Sequence, residues 1–118
     1  MIIGSIVVRC KKFEEMLAFW QEALSYVSGM PVQGGFVILR DPQGKSPNLS
    51  LDKALDNERI NGTRNPRLHL DLYADDQQGE VARLLGIGAS RHKQTYDPED
   101  DFIVLEDPDG NLFCVVKT

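Results

Sequence analysis

The chain has 118 residues, of which 42% are hydrophobic and 26% are charged, a composition typical of a single globular domain. Its formal net charge is −5, so its long-range field repels a phosphate backbone, and nucleic acid is excluded as an expected partner. The sequence shows no apolar run long enough to cross a bilayer and no secretory signal, so we expect a cytoplasmic protein without membrane contact. Its two cysteines, Cys10 and Cys114, stand in no close-spaced pattern and are expected to be free thiols.

The first half of the sequence predicts the order β-α-β-β-β. Residues 2–10 are rich in β-branched side chains, which favours a largely buried strand. Residues 12–25 carry apolar side chains at intervals of three and four, which predicts an amphipathic helix. Three short strands complete the half, at residues 26–30, 35–40 and 49–52.

The second half predicts the same order again. Residues 67–73 alternate between apolar and polar side chains as a strand does, and residues 76–85 form a helix that opens with acidic residues. Three further strands follow, at residues 90–95, 102–106 and 112–116. We therefore predict one α+β domain over residues 1–118, made of two βαβββ modules. Their expected bounds are about 1–53 for module one, about 54–66 for a linker, and about 67–118 for module two.

The repeat is visible in the letters of the sequence. Residues 36–44 align without gaps on residues 102–110, an offset of 66, and both segments end in Asp-Pro-X-Gly. The opening strands and helices align at an offset of 64, which places Ser5 on His69. Any hairpin can carry Asp-Pro-X-Gly, because proline and glycine suit turn positions. The coinciding order of elements nevertheless favours a true internal repeat.

Four segments carry a resemblance to a known family. They are Leu17-Ala18-Phe19-Trp20, Leu68-His69-Leu70-Asp71-Leu72, Val81-Ala82-Arg83-Leu84-Leu85-Gly86 and Leu105-Glu106-Asp107-Pro108-Asp109-Gly110-Asn111-Leu112-Phe113-Cys114. The chain resembles the glyoxalase, bleomycin-resistance and dioxygenase superfamily (vicinal oxygen chelate), and within it the glyoxalase-like group, from Ser5 to Val116. The resemblance implies a curved, cup-shaped mixed β-sheet with the helices outside, and pairing into a homodimer.

The resemblance also implies a divalent-metal site, which this sequence retains only in part. Metal-using members bind the ion through a His on the first strand and a Glu on the last strand of each module. The second-module His matches His69, whereas its first-module counterpart is Ser5. The last Glu position falls on Cys114, and its first-module counterpart lies near Ser50 or Asp52. Losing two or more of four ligands removes most of the affinity, so we expect no metal cofactor. A softer zinc site at His69, Cys114 and Asp52 stays an alternative.

Strand alternation predicts which side chains face the cup. Within residues 67–73 the leucines share one face, expected to meet the helices, and His69 and Asp71 share the other. A His beside a carboxylate suits a general base, so these two are the candidate catalytic residues. The plainer interpretation is a solvated strand face, or a pair that satisfies itself. The predicted ligand contacts are Ser5, Val7, Arg9, Ser50, Asp52, His69, Asp71, Leu112 and Cys114.

Three functions fit these expectations. The first hypothesis is a small-molecule binding protein of the glyoxalase and bleomycin-resistance type, which holds a small organic ligand without the usual metal. The second is a metal-dependent enzyme of the superfamily, a lyase, isomerase or dioxygenase with a rearranged site. The third is a structural or regulatory dimeric module whose cup is filled by its own side chains or by a partner subunit.

Overall fold

The computed structural model describes residues 1–28, 32–55 and 66–118. The α+β class and the two βαβββ modules are confirmed. Most of the predicted linker, and residues 29–30 of the second predicted strand, lie outside the described residues. Among the described residues, no helix is long and apolar enough to cross a membrane. The elements are β1 (Ile2–Cys10), α1 (Phe13–Leu24), β2 (Val27–Ser28), β3 (Phe36–Arg40), β4 (Asn48–Lys53), β5 (Leu68–Ala74), α2 (Gln77–Gly86), β6 (Ser90–Arg91), β7 (Phe102–Glu106) and β8 (Leu112–Lys117).

The chain divides into two compact units whose boundary falls inside β1. The N-terminal unit is Ser5–Leu68, and the C-terminal unit is His69–Thr118 together with Met1–Gly4. Within the C-terminal unit, the ring of Tyr73 lies where a Cβ on Gly4 would stand. Residue 4 therefore has to be glycine for the ring to pack as it does.

The N-terminal unit is a four-stranded mixed sheet with α1 packed on it. The strand order is β2-β3-β4-β1, in which β1 and β4 run parallel and the other pairs antiparallel. Apolar side chains at alternate strand positions meet the start of the helix, because successive side chains point to opposite faces. The buried residues of this core are Cys10, Phe13, Val37, Leu39 and Leu51.

The C-terminal unit repeats this arrangement as β5-β8-β7-β6, with β5 and β8 parallel. Helix α2 begins after Asp76, whose carboxylate accepts a hydrogen bond of 3.0 Å from the backbone N–H of Gly79. The helix ends at Gly86, where the N–H of Ile87 donates to the carbonyl of Leu84. The buried core residues are Ala74, Val81, Leu105 and Val115.

Strand pairing has the same register in the two units. Val7 pairs with Ser50, and 64 residues later Asp71 pairs with Cys114. The offset of 66 holds for β3 and β7, because the turn of residues 41–47 is two residues longer than the turn of residues 107–111. The extra residues lie in the turn and leave the ladder unchanged.

The two Asp-Pro-X-Gly turns close in the same way. In each turn the Asp carboxylate accepts the backbone N–H two residues later, Asp41 from Gln43 and Asp107 from Asp109. Asp107 also accepts the backbone and side-chain N–H groups of Asn111. The side-chain hydrogen bond from Asn111 holds the pKa of Asp107 below its ordinary value. The backbone bond from Gln43 does the same for the pKa of Asp41. Gly110 ends the second turn at a φ of 87°, which favours glycine.

The predicted strand at residues 90–95 is wrong in length, since β6 covers only Ser90–Arg91. The N–H of His92 still donates to the carbonyl of Val104, but the N–H of Val104 donates to the Tyr96 hydroxyl at 2.9 Å. A side chain thus takes the hydrogen bond that would have continued the ladder, and the strand ends.

The expectation that the leucine face of β5 meets the helices is also wrong for its first half. Leu68 is 58% exposed and Leu70 is 39% exposed. Ala74, on the same face at the end of the strand, is buried in the core that Val81 of α2 completes. Helical cover therefore begins only near the end of β5.

Candidate functional site

Three chemically different side chains meet on one face of β5 and β8. His69 and Asp71 are two residues apart on β5, so they point the same way, and Cys114 is the parallel partner of Asp71 on β8. The Nε2 atom of His69 lies 3.4 Å from the Oδ1 atom of Asp71. One ligand atom from each of the three side chains lies within 4.8 Å of the others. Among the described residues, this is the only such group of three His, Cys, Asp or Glu side chains. We call it the donor cluster.

The donor cluster is half-buried rather than sealed. The side chains of His69 and Asp71 are 26% and 20% exposed. Burial, together with charge repulsion from the Asp71 carboxylate and a hydrogen bond to it, raises the pKa of the Cys114 thiol to about 12. A thiol of this kind stays protonated near neutral pH, so it is a poor nucleophile on its own. The arrangement suits binding a polar group or a cation better than covalent attack.

The equivalent positions of the N-terminal unit carry different chemistry. At the offset of 64, Ser5 corresponds to His69, and the matching ladders make Ser50 the counterpart of Cys114. The Oγ atoms of Ser5 and Ser50 are 2.6 Å apart, hydrogen-bonded and fully buried. Val7, the counterpart of Asp71, is buried as well. At positions 5, 7 and 50 this strand face is closely packed, and its polar pair is satisfied.

The zinc alternative grouped Asp52 with His69 and Cys114, but Asp52 has a different partner in the structure. Its carboxylate accepts a hydrogen bond from Nη1 of Arg9, the residue opposite it on β1, and both side chains are partly exposed. The third donor grouped with His69 and Cys114 is Asp71. The alternation of β5 already placed Asp71 on the face of His69, and that was the signal that could have identified it.

Leu112 is the remaining predicted ligand contact. Leu112 is half-buried on β8, two residues before Cys114 and so on the same face. A second imidazole and carboxylate pair was not predicted: Nδ1 of His92 lies 3.6 Å from Oε2 of Glu106. His92 is the residue that follows β6, and Glu106 is the last residue of β7.

Residues 5–116 of the chain match the model of the glyoxalase-like domain family. The chain belongs to this family. No curated protein sequence gives a significant match. The predicted resemblance is thereby confirmed at the level of the family and superfamily.

Solved structures similar to this glyoxalase-like protein establish its fold. A glyoxalase/bleomycin resistance protein/dioxygenase superfamily member from Vibrio splendidus 12B01 is 13% identical, with a TM-score of 0.62 over 97% of both chains. Methylmalonyl-CoA epimerase from Mycobacterium tuberculosis is 16% identical, with a TM-score of 0.67 over 97% of this chain and 85% of that one. A Streptomyces coelicolor methylmalonyl-CoA epimerase in complex with 2-nitronate-propionyl-CoA is 14% identical, with a TM-score of 0.66 over 100% of this chain and 97% of that one.

The residues of this glyoxalase-like protein do not fit the four-ligand metal site that the resemblance implied. Ser5 and Ser50 stand at two of the four positions, and their neutral hydroxyls are buried and bonded to each other. Cys114 presents a thiol where a carboxylate is expected, so His69 alone keeps the expected residue type. Hard divalent ions prefer carboxylate and carbonyl oxygens, which these positions lack.

Proposed function

We propose that this glyoxalase-like protein binds a small organic ligand on the polar face of β5 and β8, without the four-ligand metal site of its superfamily. The observation that carries the proposal is a contrast. His69 and Asp71 stay partly exposed, while Ser5 and Ser50, the first-module counterparts of metal ligands, are buried and satisfy each other. A few polar groups set among apolar ones are what a small-molecule site requires.

Each side chain of the proposed site has a distinct part. The imidazole of His69 presents one donor and one acceptor when it is neutral, and the Asp71 carboxylate accepts hydrogen bonds. At 3.4 Å the two side chains hold each other in place, so both can orient a hydroxyl or amide of the ligand. If a reaction follows binding, His69 is the proposed general base and Asp71 the carboxylate that orients its ring. Leu112 and the uncharged thiol of Cys114 supply apolar contact.

The first-module residues among the predicted ligand contacts lie in the N-terminal unit, outside the site proposed here. Arg9 and Asp52 are partly exposed and are paired with each other. Ser5, Val7 and Ser50 are buried, so their side chains are closed to a ligand.

The class of ligand is suggested by a structural neighbour. The Streptomyces coelicolor epimerase is complexed with 2-nitronate-propionyl-CoA, so this fold accommodates an analogue of an acyl thioester. Short organic acids and their coenzyme A thioesters are therefore the first compounds to test.

The pairing of two chains into a homodimer, and a cytoplasmic location, remain part of this proposal. Sedimentation velocity measures the pairing, and a species of one chain's mass at micromolar concentration would contradict it.

The test is isothermal titration of the whole chain against such a panel, with a chelator present throughout. For any compound that binds, the double variant His69→Ala with Asp71→Ala should weaken binding at least about tenfold, since one lost hydrogen bond to a charged group is worth about 1.5–3 kcal/mol. The matched control is His92→Ala with Glu106→Gln, which removes the other imidazole and carboxylate pair and should change affinity less than about twofold. Unchanged affinity in the His69 and Asp71 double variant would remove the proposed site.

A further inference from the structure

The donor cluster contains the three kinds of ligand that zinc takes in proteins. Zinc is bound by cysteine sulfur, histidine nitrogen and carboxylate oxygen, in any mixture that reaches tetrahedral geometry. His69, Asp71 and Cys114 offer one of each. All three stand on two adjacent, hydrogen-bonded strands, which hold donor side chains more rigidly than loops do.

The spacing of the donors matches a tetrahedral ion. With zinc bonds of about 2.0–2.3 Å, neighbouring donor atoms in a tetrahedron are about 3.3–3.7 Å apart. Nε2 of His69 and Oδ1 of Asp71 are already 3.4 Å apart. The donor atoms of the whole cluster lie within 4.8 Å of one another, which is about 1 Å wider than this tetrahedral spacing.

The charge of the cluster selects the metal. Zinc binding releases the thiol proton of Cys114, and the imidazole, carboxylate and thiolate then carry two negative charges, which one divalent cation neutralises. A thiolate and an imidazole suit zinc, whereas magnesium and calcium prefer oxygen ligands alone. The half-burial of His69 and Asp71 leaves the cluster reachable from solvent while limiting competition by water.

We propose that His69, Asp71 and Cys114 bind zinc within the C-terminal unit alone, with the fourth position left to water or another exchangeable ligand. This site differs from the one implied by the family, because it draws no ligand from the N-terminal unit and because Asp71 stands at none of the four implied ligand positions. The inference does not depend on the proposed function, whose test is run in chelator.

The experiment uses the whole chain, stripped with chelator and then freed of it. Titration with zinc chloride alone should show one equivalent bound per chain. Titration with cobalt(II) should produce the sulfur-to-cobalt charge-transfer band and the strong visible bands of a four-coordinate ion. Cys114→Ser should abolish the charge-transfer band and weaken zinc at least about tenfold, because even losing a partner of a ligand costs 10–100-fold in affinity. Asp71→Asn should weaken zinc without removing the charge-transfer band.

The matched control is His92→Ala, which removes the second imidazole of the chain and should leave zinc affinity within about twofold. Absence of zinc binding, or zinc binding that Cys114→Ser leaves unchanged, overturns the inference. Circular dichroism checks that Cys114→Ser folds; if it does not, His69→Gln takes its place and should weaken zinc by a similar factor. A failed zinc titration leaves the organic-ligand proposal intact, and a failed ligand panel leaves the zinc inference intact.

Discussion

The two units share one pattern of strand pairing but carry different side chains on it. Their ladders match residue for residue, with Val7 opposite Ser50 in one unit and Asp71 opposite Cys114 in the other. Backbone groups form these ladders, so the pattern tolerates very different side chains on the face away from the helix. In the N-terminal unit that face is closed by a buried pair of hydroxyls. In the C-terminal unit it holds the donor cluster. One repeated backbone pattern thus carries partly exposed polar donors in one copy and a buried hydroxyl pair in the other.

Matched core positions should show how far the two units are equivalent in stability. Leu39 and Leu105 correspond at the offset of 66, and both are fully buried. Leu39→Ala and Leu105→Ala should each lower the free energy of unfolding by about 2–5 kcal/mol, since each leaves a cavity. Urea denaturation measures the loss. If the chain is one domain, as predicted, both variants shift the same single transition, and two separate transitions would contradict that prediction.

Gly4→Ala tests a position where the two units differ in what they tolerate. The Tyr73 ring occupies the place of the new methyl group, so the free energy of unfolding should fall by about 1–3 kcal/mol. Leu68 is the counterpart at the offset of 64 and is 58% exposed, so Leu68→Ala should change it by less than about 0.5 kcal/mol. Thermal or urea unfolding measures both variants. A loss for Gly4→Ala no larger than that for Leu68→Ala would show that the ring moves aside without cost.

The buried hydroxyl pair should behave as one unit. Ser50→Ala leaves the hydroxyl of Ser5 without its partner, which should cost about 1–3 kcal/mol of unfolding free energy. Adding Ser5→Ala should cost less than a second such loss, since both polar groups are then gone. Cys114 is the half-buried counterpart of Ser50, and Cys114→Ser should lower the free energy of unfolding by less than Ser50→Ala does. A double-mutant cycle in urea measures the coupling, and additive losses would refute it.

The smallest expected effect is in the two turns. The depressed pKa values of Asp41 and Asp107 mean that both carboxylates favour the folded state above their ordinary pKa of 3.8, and that this contribution is lost as the pH falls through the folded values. Asn111→Ala should move the pKa of Asp107 back up toward 3.8 and leave that of Asp41 unchanged. Carboxyl carbon NMR across an acid titration measures both. A pKa of Asp107 that does not move would show that backbone bonds alone hold it down.

Periodicity and the internal repeat predicted the fold well because they report local patterns. The order of elements, both turns and the shared face of His69 and Asp71 all follow from spacing along the chain. What spacing could not decide was where two extra residues had been inserted. The first-module counterpart of Cys114 was therefore left open between Ser50 and Asp52, until strand pairing fixed it as Ser50.

Other features of the structure depend on contacts that spacing along the chain does not report. The Tyr96 hydroxyl ends β6 early through a bond to Val104, and no pattern in residues 90–95 announces it. The exposure of Leu70 depends on how far α2 reaches along β5, which alternation does not contain. The pairing of Asp52 with Arg9 likewise required the register of β1 and β4.

The unit boundary inside β1 limits how the chain can be divided into fragments that each hold a whole unit. Ser5–Leu68 form one unit from a continuous stretch of chain, whereas the other unit combines Met1–Gly4 with His69–Thr118, so the second half of the coding sequence alone does not encode a whole unit. A fragment expressed from His69 onward lacks the glycine on which Tyr73 packs. Any fragment meant to hold the C-terminal unit therefore has to carry Met1–Gly4 as well as His69–Thr118.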